Sequence, residues 1–186
     1  MRKIIKALKP AFLCITIMTV LCGIIYTGIV TCIAQAVFSS KANGSIITIR
    51  LKDGTIKDYG SQLIGQEFTK PKYLIGRPIG ITNLSPASKE QEKLVKERID
   101  WWHSFDLSNK ADIPIDLVTA SGSGVDPNIS PEAAEYQVLR IANERNMNEN
   151  DVRKIIKKYT CGRFLGFWGE PSVNVLKVNL ALDGLL

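Results

Sequence analysis

The residues best suited to chemistry lie in one polar turn, Thr119-Ala120-Ser121-Gly122-Ser123-Gly124, with carboxylates on either side at Asp116, Asp126 and Glu132. A serine nucleophile on a strand-to-helix elbow needs Gly-x-Ser-x-Gly. Ser121 stands two residues before Ser123, and Thr119 two before Ser121, so neither serine fits. A phosphate-binding loop would need Gly-Lys-Ser/Thr at its end, which is missing. A glycine-serine turn ahead of a helix can hold an anion on its backbone amides, or it can be only a turn. Asp126 precedes Pro127, as in a turn, and Glu132 suits a helix N-terminus. Nothing in the spacing sets two carboxylates opposite each other for acid–base work. The single histidine, His103, follows Trp101-Trp102; zinc held by histidines would need a second, and a triad would have to use this one. These residues read as a non-catalytic domain.

The chain that must carry this turn has 186 residues and a net charge of +6. Arg2, Lys3, Lys6 and Lys9 supply four of those charges before the domain begins, leaving about +2 elsewhere. That is no footprint for nucleic acid. Ala11–Phe38 contains no charged residue and no histidine over 28 positions. About 20 apolar residues cross a bilayer core as a helix, so this stretch is expected to span. Its length exceeds the apolar core of a cleaved signal, although Ala34-Gln35-Ala36 resembles a cleavage site. Cations cluster before the span and are sparse after it, which places the N-terminus in the cytoplasm and the domain outside. The expected organisation is a basic cytoplasmic tail at 1–10, a transmembrane helix at 11–38 and an extracytoplasmic α+β domain at 39–186. Cys14, Cys22 and Cys32 lie in the span and only Cys161 in the domain, so the domain has no internal disulfide.

Within the domain, Ile46–Leu51 and Thr55–Tyr59 flank Asp53-Gly54, a hairpin signal. Ser61–Gln66 reads as a helical turn and Tyr73–Ile75 as a short extended piece. Ser85-Pro86 is expected to open a charged helix that carries Leu94, Ile99, Trp101, Trp102 and Phe105, with pairs such as Glu92–Lys96 on its solvated face. Ile113–Val118 alternates as a strand would. Ser130-Pro131 opens a helix that carries Ala134, Val138, Ile141, Ala142 and Arg145. Asn148 or Asn150 caps the next, which Gly162 ends. Val173–Leu182 reads as a central strand, with Leu176, Val178, Leu180 and Leu182 on one face.

In order along the chain stand Leu63-Ile64-Gly65-Gln66 with Phe68, Gly76-Arg77-Pro78, Asn83-Leu84-x-Pro86, and Ile113-Pro114-x-Asp116-Leu117-Val118-Thr119-Ala120-Ser121-Gly122-Ser123-Gly124-x-Asp126-Pro127. Ile129-Ser130-Pro131, Gln137 and Arg140 follow, then Gly162-Arg163, Gly166-Phe167 and Gly169-Glu170-Pro171, which lead into Val173-Asn174-Val175-Leu176 and Asn179-Leu180-Ala181-Leu182-Asp183. Together with the N-terminal span, this set resembles the C subunit of the Kdp-type potassium-transporting P-type ATPase over nearly the whole chain. The resemblance implies an accessory subunit, with a potassium-binding channel-like subunit, an ATP-hydrolysing subunit and a small one-span peptide as partners in a plasma (inner) membrane. It implies no tightly bound cofactor. ATP enters through the hydrolysing subunit, whose affinity for ATP the C subunit is described as raising, and potassium is carried by the complex. It also singles out Asp116, Thr119, Ser121, Gly122, Ser123, Gly124, Asp126, Gln137 and Arg140 as a partner-contact or structural motif. This sequence departs from the family pattern in a short Ile79–Thr82 loop, in Asn128 where His is common, and in Leu139 where Pro is common, which is expected to make that helix more regular. A membrane-tethered extracytoplasmic hydrolase or ligand-binding domain is the alternative from the residues alone.

Overall fold

The structure, a computed structural model, describes residues 2–186, with side chains from residue 7 onward; the side chains of Arg2, Lys3 and Lys6 lie outside that description. The chain divides into two compact units, Met1–Ile46 and Ile47–Leu186.

The first unit is helical. Helix α1 (Arg2–Met18) passes into a π-helical segment, Thr19–Tyr26, and then into α2 (Thr27–Ala42). The basic stretch is thus already helical, with Pro10 inside α1 at the loss of one ladder hydrogen bond. Ala7–Ala42 is long and apolar enough to cross a membrane, 36 residues against the ~20 that suffice. The wide turns coincide with Gly23, and the Thr27 hydroxyl donates to the Gly23 carbonyl oxygen. Polar insertion into the ladder is a recognised cause of such local changes of pitch. Helical backbone runs past the expected Phe38 limit, although Phe38 itself is non-helical (φ −141°, ψ 51°). Gln35 and Asn43 exchange side-chain hydrogen bonds of 3.0 and 3.2 Å at the end of α2.

The second unit is a mixed helix and sheet domain. Strands β1 (Ile46–Arg50) and β2 (Ile56–Ser61) form the expected hairpin. Gly54 takes φ +85° in its turn, and the Asp53 carboxylate accepts from the amide and hydroxyl of Thr55. Ser61 opens a hydrogen-bonded turn. The charged helix, α3, is Lys89–Phe105, so it starts four residues after Ser85. Ser85 instead makes a local turn, and Ser88 is the cap, accepting from the Gln91 amide. The exposed i,i+4 ion pair on its face is Lys93–Glu97.

Three further readings are corrected. Ile113–Val118 is not a strand: Ile115–Leu117 is a single 3-10 turn after Pro114. Its Ile115 is 71% exposed while Leu117 is 2% exposed, so the alternation has no sheet to face. The helix begun at Ser130-Pro131 is two pieces, α4 (Pro131–Glu135) and α5 (Val138–Arg145), despite Leu139. Gln137 breaks it at φ −96°, ψ −6°. Helix α6 (Glu149–Lys158) is capped by Asn148 and ends at Tyr159, not Gly162. Before Gly162 the chain has already entered a strand.

That strand, β4 (Thr160–Cys161), joins β3 (Asn128–Ile129) and β5 (Ser172–Asn174) in an antiparallel sheet of order β3-β5-β4. Val173 pairs with both Ile129 and Thr160. The strand expected over Val173–Leu182 is central but stops at Asn174. There the Asn174 side chain accepts from the Lys177 amide and starts helix α7 (Val175–Leu182). Six of its eight residues are buried. A helix buried nearly all round gives a short apolar run that periodicity cannot separate from a strand. Leu74, Trp102, Leu117, Ile129, Ala133, Val138, Ile141, Val152, Val173 and Val178 make up the centre of the core.

Candidate functional site

The motif loop is braced from several sides. After the 3-10 turn, Trp102 Nε1 donates to the Leu117 carbonyl (3.1 Å) and Arg98 to the Val118 carbonyl (2.9 Å), so α3 satisfies two backbone acceptors. Asp116 Oδ2 accepts from the Ser130 amide at 2.7 Å, and its other oxygen faces Arg77 at 3.6 Å. Arg77 in turn donates to the Thr119 hydroxyl, the Thr119 carbonyl and the Ala120 carbonyl. Thr119 donates to the Ile115 carbonyl at 2.7 Å. Arg77 from the Gly76-Arg77-Pro78 block and Asp116 from the core block thus form one ion-paired clamp.

The turn beyond is held by backbone. Gly124 has φ +71°, and a Cβ there would stand 2.7 Å from the Gly80 carbonyl carbon. The Gly80 amide donates to the Gly124 carbonyl, and the Gly65 amide to the Val125 carbonyl. Only glycine permits that approach and that conformation together. Asp126 accepts from the Asn128 amide, the turn its place before Pro127 suggested. Ser121 and Ser123 hydroxyls lie 3.3 Å apart, and Ser123 accepts from the Val125 amide. Neither hydroxyl is hydrogen-bonded to a histidine or carboxylate among the described residues. Gly122, Ser123 and Val125 are exposed, so the loop presents small polar groups on a rigid backing.

Gln137 and Arg140 lie elsewhere, in the core. Gln137 is fully buried: its Oε1 accepts from the Ile75 amide (2.8 Å), and its Nε2 donates to the Ile75 and Ala133 carbonyls. Arg140 donates to Gln137 and to the carbonyls of Pro71 and Tyr73, and its guanidinium lies against Phe105. Burial pulls its pKa down to about 10, against the pull of Asp106, so it stays cationic near neutrality. Sequence reading missed the rest of this strap. Asn179 binds both backbone groups of Leu74. Arg145 reaches the Lys72 and Leu182 carbonyls and Asp183, whose other oxygen accepts from the Tyr73 hydroxyl at 2.8 Å. Asn179 opens the Asn179–Asp183 block, and an uncharged polar residue set between Val178 and Leu180 was the available signal. Among the described residues no group of His, Cys, Asp and Glu could hold a metal ion.

Matches to known proteins cover this whole framework. Residues 8–184 match the family described as KdpC, K+-transporting ATPase, c chain. The chain belongs to the KdpC family. A potassium-transporting ATPase KdpC subunit of Listeria welshimeri is 55% identical, covering 100% of this chain and 99% of that protein. The KdpC subunit of Clostridium perfringens is 51% identical over 97% of this chain and 98% of its own. That of Clostridium botulinum is 48% identical with the same coverage. As a KdpC-family protein the chain is a subunit of a potassium-transporting ATPase complex, membrane-associated and carrying one candidate N-terminal span.

Proposed function

We propose that this chain is a non-catalytic accessory subunit that assembles or stabilises the potassium-importing complex from outside the membrane. Its partners are the channel-like potassium-binding subunit, the ATP-hydrolysing subunit and the small one-span peptide. The observation that carries this reading is the use of the motif's polar groups. Asp116, Arg77, Thr119 and Asp126 are engaged in fixing backbone, and what they fix is an exposed Gly122–Ser123 ledge. Such an arrangement presents a surface; it does not activate a nucleophile. The cation-rich N-terminus supports a cytoplasmic start and an extracytoplasmic domain. ATP is cytoplasmic, so any rise in the hydrolysing subunit's ATP affinity passes through the anchor or through assembly. The subunit itself holds no tightly bound cofactor.

The test is purification of the tagged chain from mild detergent with the other subunits co-expressed. Recovery with all of them, and loss of the complex when Gly122–Gly124 is rebuilt, is the expected result. Recovery as a lone monomer overturns the proposal. So does labelling by a serine-reactive probe that disappears on Ser121→Ala or Ser123→Ala.

A further inference from the structure

Between β4 and β5 the chain runs through Gly162–Glu170, and every residue there is exposed. Four of them are large and apolar: Phe164 (69% exposed), Leu165 (72%), Phe167 (70%) and Trp168 (66%). They sit on a tight hairpin. Phe164 and Trp168 pair in antiparallel fashion, and the Phe167 and Trp168 amides both donate to the Phe164 carbonyl. Phe167 and Trp168 stack with ring centroids 6.5 Å apart. The two residues at the tip, Leu165 and Gly166, have φ of +53° and +83°. Glycine suits such a turn and leucine does not. A leucine held in the left-handed region with its side chain in water gains nothing from the fold in return. That points to an occupant outside it.

We infer that this hairpin tip dips into the interfacial region of an anionic lipid surface. Isolated exposed apolar residues are ordinary, but a contiguous cluster marks an interaction site. The chemistry of this one is that of an interface: tryptophan prefers the headgroup level, and phenylalanine and leucine the acyl boundary just below. Cations flank the hairpin in sequence, the kind of charge that meets headgroup phosphates. Lys157 and Lys158 close α6 just upstream, both exposed, and Arg163 sits at the base of the hairpin, opposed by Glu170 at 3.3 Å. The shape favours lipid over protein. A convex tip of four side chains needs a matching socket in a protein, whereas a bilayer accepts it without one. The same chain carries a helix long and apolar enough to cross a membrane, which would tether the hairpin to a bilayer.

The full chain, anchor included, would be reconstituted into phosphatidylcholine–phosphatidylglycerol vesicles with and without brominated acyl chains, and tryptophan emission measured. Both leaflets carry the same lipids, so insertion orientation does not affect the readout. A quenched component is expected in the wild type, lost in Trp168→Phe and reduced in Leu165→Asp, which retains the fluorophore. Equal quenching of wild type and Trp168→Phe overturns the inference. So does Trp168 that escapes brominated lipid but becomes shielded from aqueous acrylamide once the other subunits are present, the signature of a protein socket. Trp168→Phe alters only an exposed ring, so its comparison stands even if Leu165→Asp folds poorly. The chain alone suffices for the lipid readout, so its failure is separable from failure to assemble.

Discussion

Asn179 and Leu74 exchange two hydrogen bonds: the Leu74 amide donates to Oδ1 at 2.8 Å, and Nδ2 donates to the Leu74 carbonyl at 2.9 Å. One residue on, Gln137 treats Ile75 in the same manner. Two buried amide side chains thus do for Leu74-Ile75 what a neighbouring strand would do. Backbone groups buried without partners are rare because they are costly, and here Gln137 at the start of α5 and Asn179 in α7 supply the partners.

Replacing Asn179 with Ala leaves both Leu74 backbone groups buried and unpaired, at about 1–3 kcal/mol each. The melting temperature of the full chain in detergent is expected to fall by roughly 4–8 °C or more. A shift under about 1 °C would mean that water replaces the amide.

The side chains of Arg140 and Asp106 are both about 4% exposed, and Nε and Oδ2 stand 3.9 Å apart as an ion pair, neither atom making a hydrogen bond. Removing one partner strands the other, so Arg140→Met alone is expected to cost about 3–5 kcal/mol. The double variant with Asp106→Asn should recover part of that loss. Denaturant unfolding of the two variants measures the difference.

Gly124→Val forces a branched side chain into φ +71° against the Gly80 backbone. The conformation alone costs about 1–3 kcal/mol. Ser123→Ala removes one exposed acceptor and is expected to stay within about 0.5 kcal/mol. Complex yield should fall for the first and hold for the second; equal yields would reduce the loop to scaffold.

Asp183 titrates against its surroundings. Burial alone would raise its carboxyl, but the hydrogen bonds from Arg145 and Tyr73 outweigh burial and hold it below the ordinary 3.8. A carboxyl depressed in the folded state adds stability above the unfolded value and loses it as pH falls through the folded one. The stability gap between wild type and Asp183→Asn should therefore hold at neutral pH and narrow as pH falls below about 5 and on through the lowered folded value. Tyr73 shifts the other way, raised first by its bond to Asp183, so its share is lost only at alkaline pH.

Cys161 is exposed and is the domain's one cysteine, while Cys14, Cys22 and Cys32 lie in the apolar helix. A membrane-impermeant maleimide added to intact cells is expected to label Cys161. Labelling only after lysis would place the domain in the cytoplasm.

The family and the general architecture were legible in the sequence because its motifs are ordered and its apolar stretch is unbroken. Hairpin and caps were legible where local chemistry decides, at Asp53-Gly54, Ser130-Pro131 and Asn148. What failed depends on tertiary partners. Val175–Leu182 reads as a strand because it is buried all round, and only the Asn174 cap shows that it is a helix. Ile113–Val118 alternates, but α3 takes up its carbonyls before any strand can. Within the motif, Asp116 and Gly124 hold the loop that carries the exposed Gly122 and Ser123, whereas Gln137 and Arg140 serve a strap to Pro71–Ile75 that pairs residues more than 60 positions apart. No local pattern encodes that separation.

The π-helical stretch in the anchor changes what a neighbouring helix can feel. Wider turns slip the rotational phase, so the side chains after Tyr26 do not continue the rows set before Thr19. The anchor offers two half-length faces instead of one stripe. On them Thr16 and Thr27 have turned their hydroxyls inward to the carbonyls of Phe12 and Gly23. At those two positions a docking helix would meet threonine methyl groups, and fit there would be decided by shape.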